Sequence, residues 1–382
     1  MAPQRLLGLD ILRCVAVLLV LGRHMPEAAS DTPGKWFYDC WLRGGWIGVD
    51  LFFVLSGFLV SGLLFSEYKK RGRLTVGRFL IRRGWKIYPA FLVFILVTVL
   101  MRIAFKKEIE VSGLLAELTF CQSYFRGLWA HTWSLSVEEH FYLILPFILL
   151  GLAAVWGKRD EQRNPFASIP LIAIVVAAAC LLLRVWRTGP FDLWKNVFPS
   201  VIRMDSLFFG VALAYFWHFK PEAIDKLRPW RWSLIAVGVA GMLPPFWYNL
   251  ESNPFLYKWG FTILFLSAGS ILLGVLLCES PKSRIASWIA WLGFFSYSVY
   301  LWHLPVGVWA MPVVRKVAPL PFALETALYI AASFVVGIVM AKLVEMPALA
   351  LRDRWFPAAN PAAGAVEAAP IVDDGLVKAP PG

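Results

Sequence analysis

Apolar runs of about 18 or more residues recur from one end of this chain to the other, the length a helix needs to cross a bilayer. Backbone groups in lipid must find their hydrogen bonds inside their own segment, so apolar runs of this length are read as helices. The pattern predicts an all-α fold: a polytopic transmembrane helical bundle. Composition supports this, with 59% of the 382 residues hydrophobic and 16% charged. Soluble domains are nearer 45–50% apolar and about 25% charged. The excess excludes a single water-soluble core and an intrinsically disordered chain.

The runs divide into ten expected spans: 6–25, 46–66, 88–105, 138–156, 168–186, 200–218, 233–249, 259–278, 291–311 and 322–344. The stretch 111–129 is a further segment that can dip into the membrane. Charge sets the orientation. With the N-terminus inside, the inner segments carry 21 Lys and Arg and the outer loops carry 10. Cytoplasmic loops collect such residues, so both termini are expected in the cytoplasm. The net charge of +12 is thereby explained by topology and anionic lipid, not by nucleic acid.

Residues 1–356 read as one membrane domain. Residues 357–382, rich in Ala, Pro and Gly, read as a disordered tail. Arg5, the first apolar run and Ala28-Ala29-Ser30 resemble a leader peptide, but Asp10 and Arg13 interrupt that run, so retention is expected. The five cysteines form no CxxC motif and no metal-ligand spacing, and no metal site is expected. Cys40 and Cys121 fall near loops on one side, which leaves a bridge between them open.

Charges within a membrane cost roughly 2.5–3.5 kcal/mol each on insertion scales and mark functional candidates. The candidates are Asp10, Arg13, Arg23, His24, Asp50, Glu138, Glu139, His140, Arg203, Asp205 and His303. Under the assumed topology, Asp10 and Arg13 lie in the inner half. His24, Asp50, Glu138, Arg203, Asp205 and His303 lie towards the outer face. Arg78, Arg82, Arg83 and Lys86 form a separate inner cluster. Each also has a structural reading. Asp10 and Arg13 share a helix face and can neutralise each other. Arg203 and Asp205 can pair at the interface. His303 can be a hydrogen-bonded packing residue. The basic stretch can serve only as a topology anchor.

Seven segments, in order, carry a resemblance. LGLDILRCVAVLLVLGRH has Arg13 and His24 separated by ten residues. GVDLFFVLSGFL (Gly48–Leu59), RFLIRRGWKIYP (Arg78–Pro89) and HTWSLSVEEHFYLILP (His131–Pro146) follow. RMDSLFFG (Arg203–Gly210), LGFFSYSVYLWHLP (Leu292–Pro305) and VEMP (Val344–Pro347) complete the series. From Leu9 to about Trp355 the chain resembles the acyltransferase 3 family of membrane acyltransferases. The resemblance implies transfer of an acyl group, acetyl in the family's usual pattern, to an extracytoplasmic carbohydrate or glycolipid of a bacterial cell envelope. It implies an inner-membrane location and the form without an appended soluble domain. One departure stands out. Where the family often has two Arg separated by two residues, this chain has Arg83 and Lys86, and lysine lacks the planar fork of arginine.

Transfer from a thioester to a hydroxyl needs a placed acceptor, a base, stabilisation of the oxyanion and a site for the polyanionic donor. The resemblance implies His24 as base, with Glu138 orienting it or acting as base itself. Tyr142, one helical turn on, is placed to fix the Glu138 carboxylate. Arg13, Arg82, Arg83 and Lys86 are the expected contacts for acyl-CoA, a donor substrate and not a tightly bound cofactor. Asp10, Asp50, Arg203, Asp205 and His303 are secondary candidates. Direct transfer is favoured over a covalent acyl-enzyme because no Ser, Cys or Lys stands in a recognisable nucleophile motif. Two competing classes share the apolar pattern. A transporter or flippase of an envelope glycan precursor would show inverted repeats and a midplane site. An assembly protein would not need His24 or the inner basic cluster.

Overall fold

The computed structural model describes residues 7–156, 164–281, 283–318 and 320–357. Among them there are only helices, turns and loops, and no strand. The expected tail lies, from residue 358 onward, outside the described residues.

The chain begins with α1 (Leu7–Arg23), α2 (Lys35–Gly44), α3 (Gly48–Arg71), α4 (Val76–Ala104), α5 (Val111–Leu118) and α6 (Trp133–Trp156). It continues with α7 (Ile169–Trp186), α8 (Leu193–Asn196), α9 (Met204–Phe219), α10 (Pro221–Asp225), α11 (Arg231–Met242) and α12 (Phe261–Leu277). It closes with α13 (Arg284–Phe294), α14 (Ser296–Pro305), α15 (Met311–Val317), α16 (Phe322–Met340) and α17 (Met346–Trp355). Single π-helical turns precede α12, α15 and α17.

Among the described residues, six helical segments are long and apolar enough to cross a membrane: Lys35–Arg71, Val76–Ala104, Ala130–Trp156, Ile169–Trp186, Leu256–Leu277 and Phe322–Trp355. A seventh is gained if α13 and the Ser296–Val317 segment, bent by 63°, count as one span. The other expected spans also contain helices, but short ones. α1 has 17 residues and carries Asp10 and Arg13. α9 has 16 and begins only after Arg203. α11 stops after 12 residues, just before Pro244 and Pro245, which lack the N–H a continuing helix requires. The segment 111–129 is an eight-residue helix followed by a loop.

The bundle is organised around α3, whose Phe53, Val54, Leu64 and Phe65 are buried. α3 packs on α9 and α1; α1 in turn packs on α13, α12 on α11, and α14 on α16. The α3–α9 crossing is close because both sides are glycine. A Cβ on Gly57 would sit 2.0 Å from the Leu207 carbonyl oxygen, and one on Gly210 would sit 2.3 Å from that of Val54. Small residues at such a crossing let two membrane helices approach along their backbones.

Two buried ion pairs lock this region. Arg203 donates to Asp50 at 2.7 Å and Arg184 to Asp205 at 2.6 Å, with all four side chains at most 1% exposed. Arg203 and Asp205 do not pair with each other, contrary to the expectation from sequence. At the start of a helix the two face different neighbours, and each takes a partner from another element. Arg184 spends its remaining donors on the carbonyls of Lys258 and Ile202 and on the Thr262 hydroxyl. The Arg203 guanidinium lies 3.8 Å from the ring centre of Phe261. Removing one partner from a buried pair leaves the other charge stranded, at about 3–5 kcal/mol. Arg203→Met is therefore expected to lower the detergent-solubilised unfolding temperature sharply. Adding Asp50→Leu should recover most of the loss, and a thermal unfolding series on the two variants checks it.

Candidate active site

A cavity of about 180 Å³ opens between α1, α3, α4, α6, α13 and α14. Its polar lining comprises Arg13, Ser56, Arg83, Lys86, Ser134, Glu138, Tyr142, Ser296, Tyr297 and Tyr300. Its apolar lining includes Phe52, Leu55, Leu59, Leu63, Leu135 and Phe294. Cationic and aliphatic surfaces thus meet in one space, which suits a ligand with an anionic part and an apolar or uncharged arm.

The cationic residues arrive from two helices. Arg13 extends from α1 and pairs with Asp10 at 2.9 Å, the i,i+3 contact expected from their spacing. The helix α4 starts at Val76, twelve residues before the expected span, so the whole basic stretch is helical. That registers Arg83 and Lys86 on the cavity side, with the Arg83 guanidinium 5.2 Å over the Tyr142 ring. Arg82, one residue away, does not line the cavity. It pairs with Asp353 at 2.9 Å and donates to the Phe356 carbonyl at 2.5 Å, clamping α17. Lys86 is held at 2.6 Å by Glu345, whose other oxygen accepts from Ser298 at 2.7 Å. Glu345 sits in the π-helical turn before α17, and only 4% of it is exposed. Such turns recur at functional positions because they re-aim a side chain.

The α6 helix begins at Trp133, five residues ahead of the expected span, which moves Glu138 more than a turn into the bundle. Tyr142 donates to Glu138 at 2.7 Å and accepts from Ser56 at 2.6 Å. Arg83 and Arg13 both act electrostatically on the Glu138 carboxylate, so the glutamate stands among the cavity cations. The neighbouring Glu139 points elsewhere and accepts from Tyr88.

His24 caps the far end of α1, eleven positions or about 16 Å of helical rise beyond Arg13. Its hydrogen-bonding neighbours are not Glu138, as the sequence reading had it, but the Val20 carbonyl at 3.0 Å and the Nε2 atom of His303 at 3.1 Å. His303 is fully buried and bonds the Tyr300 carbonyl at 2.5 Å. The ring of His131 stands 5.0 Å from that of His303. Tyr300 donates to the His131 carbonyl at 2.7 Å and accepts from Ser134 at 2.6 Å. Tyr300 and Ser134 line the cavity, so a continuous polar layer joins His24 to it through His303. The helix-entry turn of α6 is tied down from outside the spans by Glu117. It accepts from the Trp129 amide at 3.1 Å and the Thr132 hydroxyl at 2.9 Å, and burial pushes its carboxyl up to about 7.

The sequence-derived residues therefore fall into three places. Arg13, Arg83, Lys86, Glu138 and Tyr142 share the cavity. His24 and His303 touch each other beside it. Asp50, Arg203 and Asp205 belong to the buried ion pairs, and Arg82 to the α17 clamp. Sequence reasoning missed His131, Glu345, Tyr300 and Arg184. Arg184 is an arginine inside an apolar run and was open to the same intramembrane-charge argument as the others. All five cysteines are free thiols, so Cys40 and Cys121 are not bridged. Among the described residues no cluster of His, Cys, Asp and Glu is arranged to hold a metal ion.

A multi-pass helical bundle enclosing a polar, partly cationic cavity defines the class: an integral membrane protein with an interior polar cavity. The chain belongs to the acyltransferase 3 family, whose model, described as an acyltransferase domain, matches residues 6–342. It is 30% identical over 376 residues to the peptidoglycan O-acetyltransferase OatA of Listeria monocytogenes, covering 89% of this chain and 55% of that protein. It is 28% identical over 331 residues to the O-acetyltransferase OatA of Staphylococcus aureus, covering 80% of this chain and 51% of that protein. With the putative peptidoglycan O-acetyltransferase YrhL of Bacillus subtilis the identity is 30% over 333 residues, covering 80% and 49%. The chain thus spans about half the length of the curated relatives it matches. No solved structure matches it.

Proposed function

We propose that the chain is a membrane O-acetyltransferase of the bacterial inner membrane. It takes an acetyl group from cytoplasmic acetyl-CoA and delivers it to a hydroxyl of an envelope carbohydrate, peptidoglycan by analogy with the relatives named above. The observation that carries this reading is the cavity itself, in which Arg13, Arg83 and Lys86 stand beside an aliphatic wall and connect through Tyr300 to His303 and His24.

In this scheme the phosphates of the donor meet the cations and the uncharged arm lies along the apolar wall. The acceptor oxygen attacks the thioester carbonyl while its proton passes to His24. The tetrahedral intermediate then expels the CoA thiolate, which takes that proton to leave as the thiol, and the ester is formed. Glu138 is the second candidate base, favoured by one observation: it lines the cavity, whereas His24 does not. Purified full-length chain in proteoliposomes, given radiolabelled acetyl-CoA and fragmented peptidoglycan, should release thiol and label the glycan. Labelling with an acyl phosphate but not with acetyl-CoA would replace the donor; no labelling with either would remove the reading.

The topology proposed with it has ten crossings and both termini in the cytoplasm. Support comes from the helix found in each of the four shorter segments and from the bias of basic residues. Ser30→Cys should react with an impermeant maleimide from outside, and Arg73→Cys only after permeabilisation. Both positions are exposed, and Arg73 avoids the left-handed backbone of Gly72 (φ 64°). The reverse labelling pattern would invert the scheme.

A further inference from the structure

The His24–His303 contact is fixed in its proton positions by two backbone carbonyls. A carbonyl oxygen only accepts, so His303 bonds Tyr300 through an Nδ1–H. In the neutral ring the Nε2 of His303 is then a lone pair. The same logic applies at His24, where Nδ1 lies 3.0 Å from the Val20 carbonyl and must carry the proton. That Nδ1–H is also 3.1 Å from the His303 lone pair, so it is shared between the two acceptors. The consequence is that His24 keeps its own Nε2 as the lone-pair nitrogen. His303 is fully buried and held by Tyr300 at 2.5 Å, so its acceptor atom does not wander.

We infer that His303 is the positioning residue of the catalytic base: its Nε2 accepts from Nδ1–H of His24, aims the ring, and presents the Nε2 of His24 to the proton of the acceptor hydroxyl. This rests on the transfer reading above. When the hydroxyl proton arrives at Nε2, His24 becomes an imidazolium. Its Nδ1–H then makes a charge-assisted hydrogen bond to His303, which is stronger than the neutral one. The proton leaves again from Nε2 to the thiolate, and both histidines return to their starting tautomers. His303 neither gains nor loses a proton in the cycle.

The other titratable or charged groups acting on the pair are Arg23, His131 and Tyr300, with Arg23 itself paired to Glu251 at 2.7 Å. None is altered in the variants proposed here. His303→Leu removes the acceptor. The protonated form of His24 loses its charge-assisted partner, so the acid limb of the rate profile should move to lower pH. The rate of thiol release should fall about 10-fold or more, with KM for acetyl-CoA within about twofold. His303→Gln offers Oε1 in place of Nε2 and should restore most of the rate. A purely structural role predicts a loss without movement of the limb and without rescue by Gln, and either result overturns the assignment.

A measurement independent of turnover separates this inference from the function it builds on. In full-length protein with nitrogen-15 histidine, His24 and His303 should both give the signals of the Nδ1–H tautomer, and His24 should lose that single form in His303→Leu. An Nε2–H signal for His24 in the unaltered protein would overturn the proposal whatever the activity. Nδ1–H signals in a protein that transfers no acetyl would overturn the transfer reading alone.

Discussion

His24→Gln is expected to lower acetyl transfer by about 10²–10⁴-fold, the usual worth of a positioned general base, while donor binding stays within about twofold because the cations of the cavity are untouched. The choice of glutamine matters. Its amide keeps a polar donor and acceptor of similar size at the end of α1. Packing there is therefore largely preserved. What glutamine lacks is a nitrogen that takes a proton near neutral pH, where histidine ordinarily titrates. A large fall in rate with an intact fold then reports proton transfer and not collapse. His24→Ala should fail to the same degree. If His24→Gln retains substantial transfer, the base is Glu138. Its cavity position and its Tyr142 hydrogen bond make it the next residue to test.

Contacts within one helix were legible in the sequence, and contacts between helices were not. The Asp10–Arg13 pair and the Glu138–Tyr142 bond follow from spacings of three and four on a helix, and both are present at 2.9 and 2.7 Å. No period in the chain connects Asp50 with Arg203, 153 positions away, or Lys86 with Glu345, 259 positions away. Only the fold brings them together. Two helix starts also fell earlier than the apolar pattern placed them. Both α4 and α6 begin well before their apolar runs, because the charged and polar residues ahead of each run still adopt helical backbone. Long basic side chains at a membrane boundary can keep their stems with the helix and their charges near water. The early start of α6 changed the chemistry most, since it carried Glu138 away from His24 and towards Arg83 and Arg13. His131 precedes α6 and has the sequence setting of a loop residue, yet it is 2% exposed and lies against His303.

The four basic residues read as one donor site are two different things in the fold, and that division sets the second large expectation. Arg83 lines the cavity and Arg82 clamps α17 through Asp353. Hydrogen bonds involving charged groups contribute about 1.5–3 kcal/mol, so Arg83→Ala should weaken acetyl-CoA binding about 10- to 100-fold, measured by calorimetry or by displacement of a fluorescent CoA analogue in detergent. Arg82→Ala removes the same charge from the same turn of α4 and should change that affinity by no more than about twofold, its cost appearing in stability. Arg83→Lys should fall between, keeping the charge but losing the fork that grips phosphate at two points. Lys86→Ala is a poorer test, because it strands the buried Glu345 carboxylate and confounds binding with folding. Equal losses for Arg82→Ala and Arg83→Ala would mean that donor affinity comes from a basic surface at the membrane face and not from the cavity. A loss confined to Arg83→Ala would place the donor phosphates inside the bundle, beside Glu138 and at the inner end of the polar layer that leads to His24.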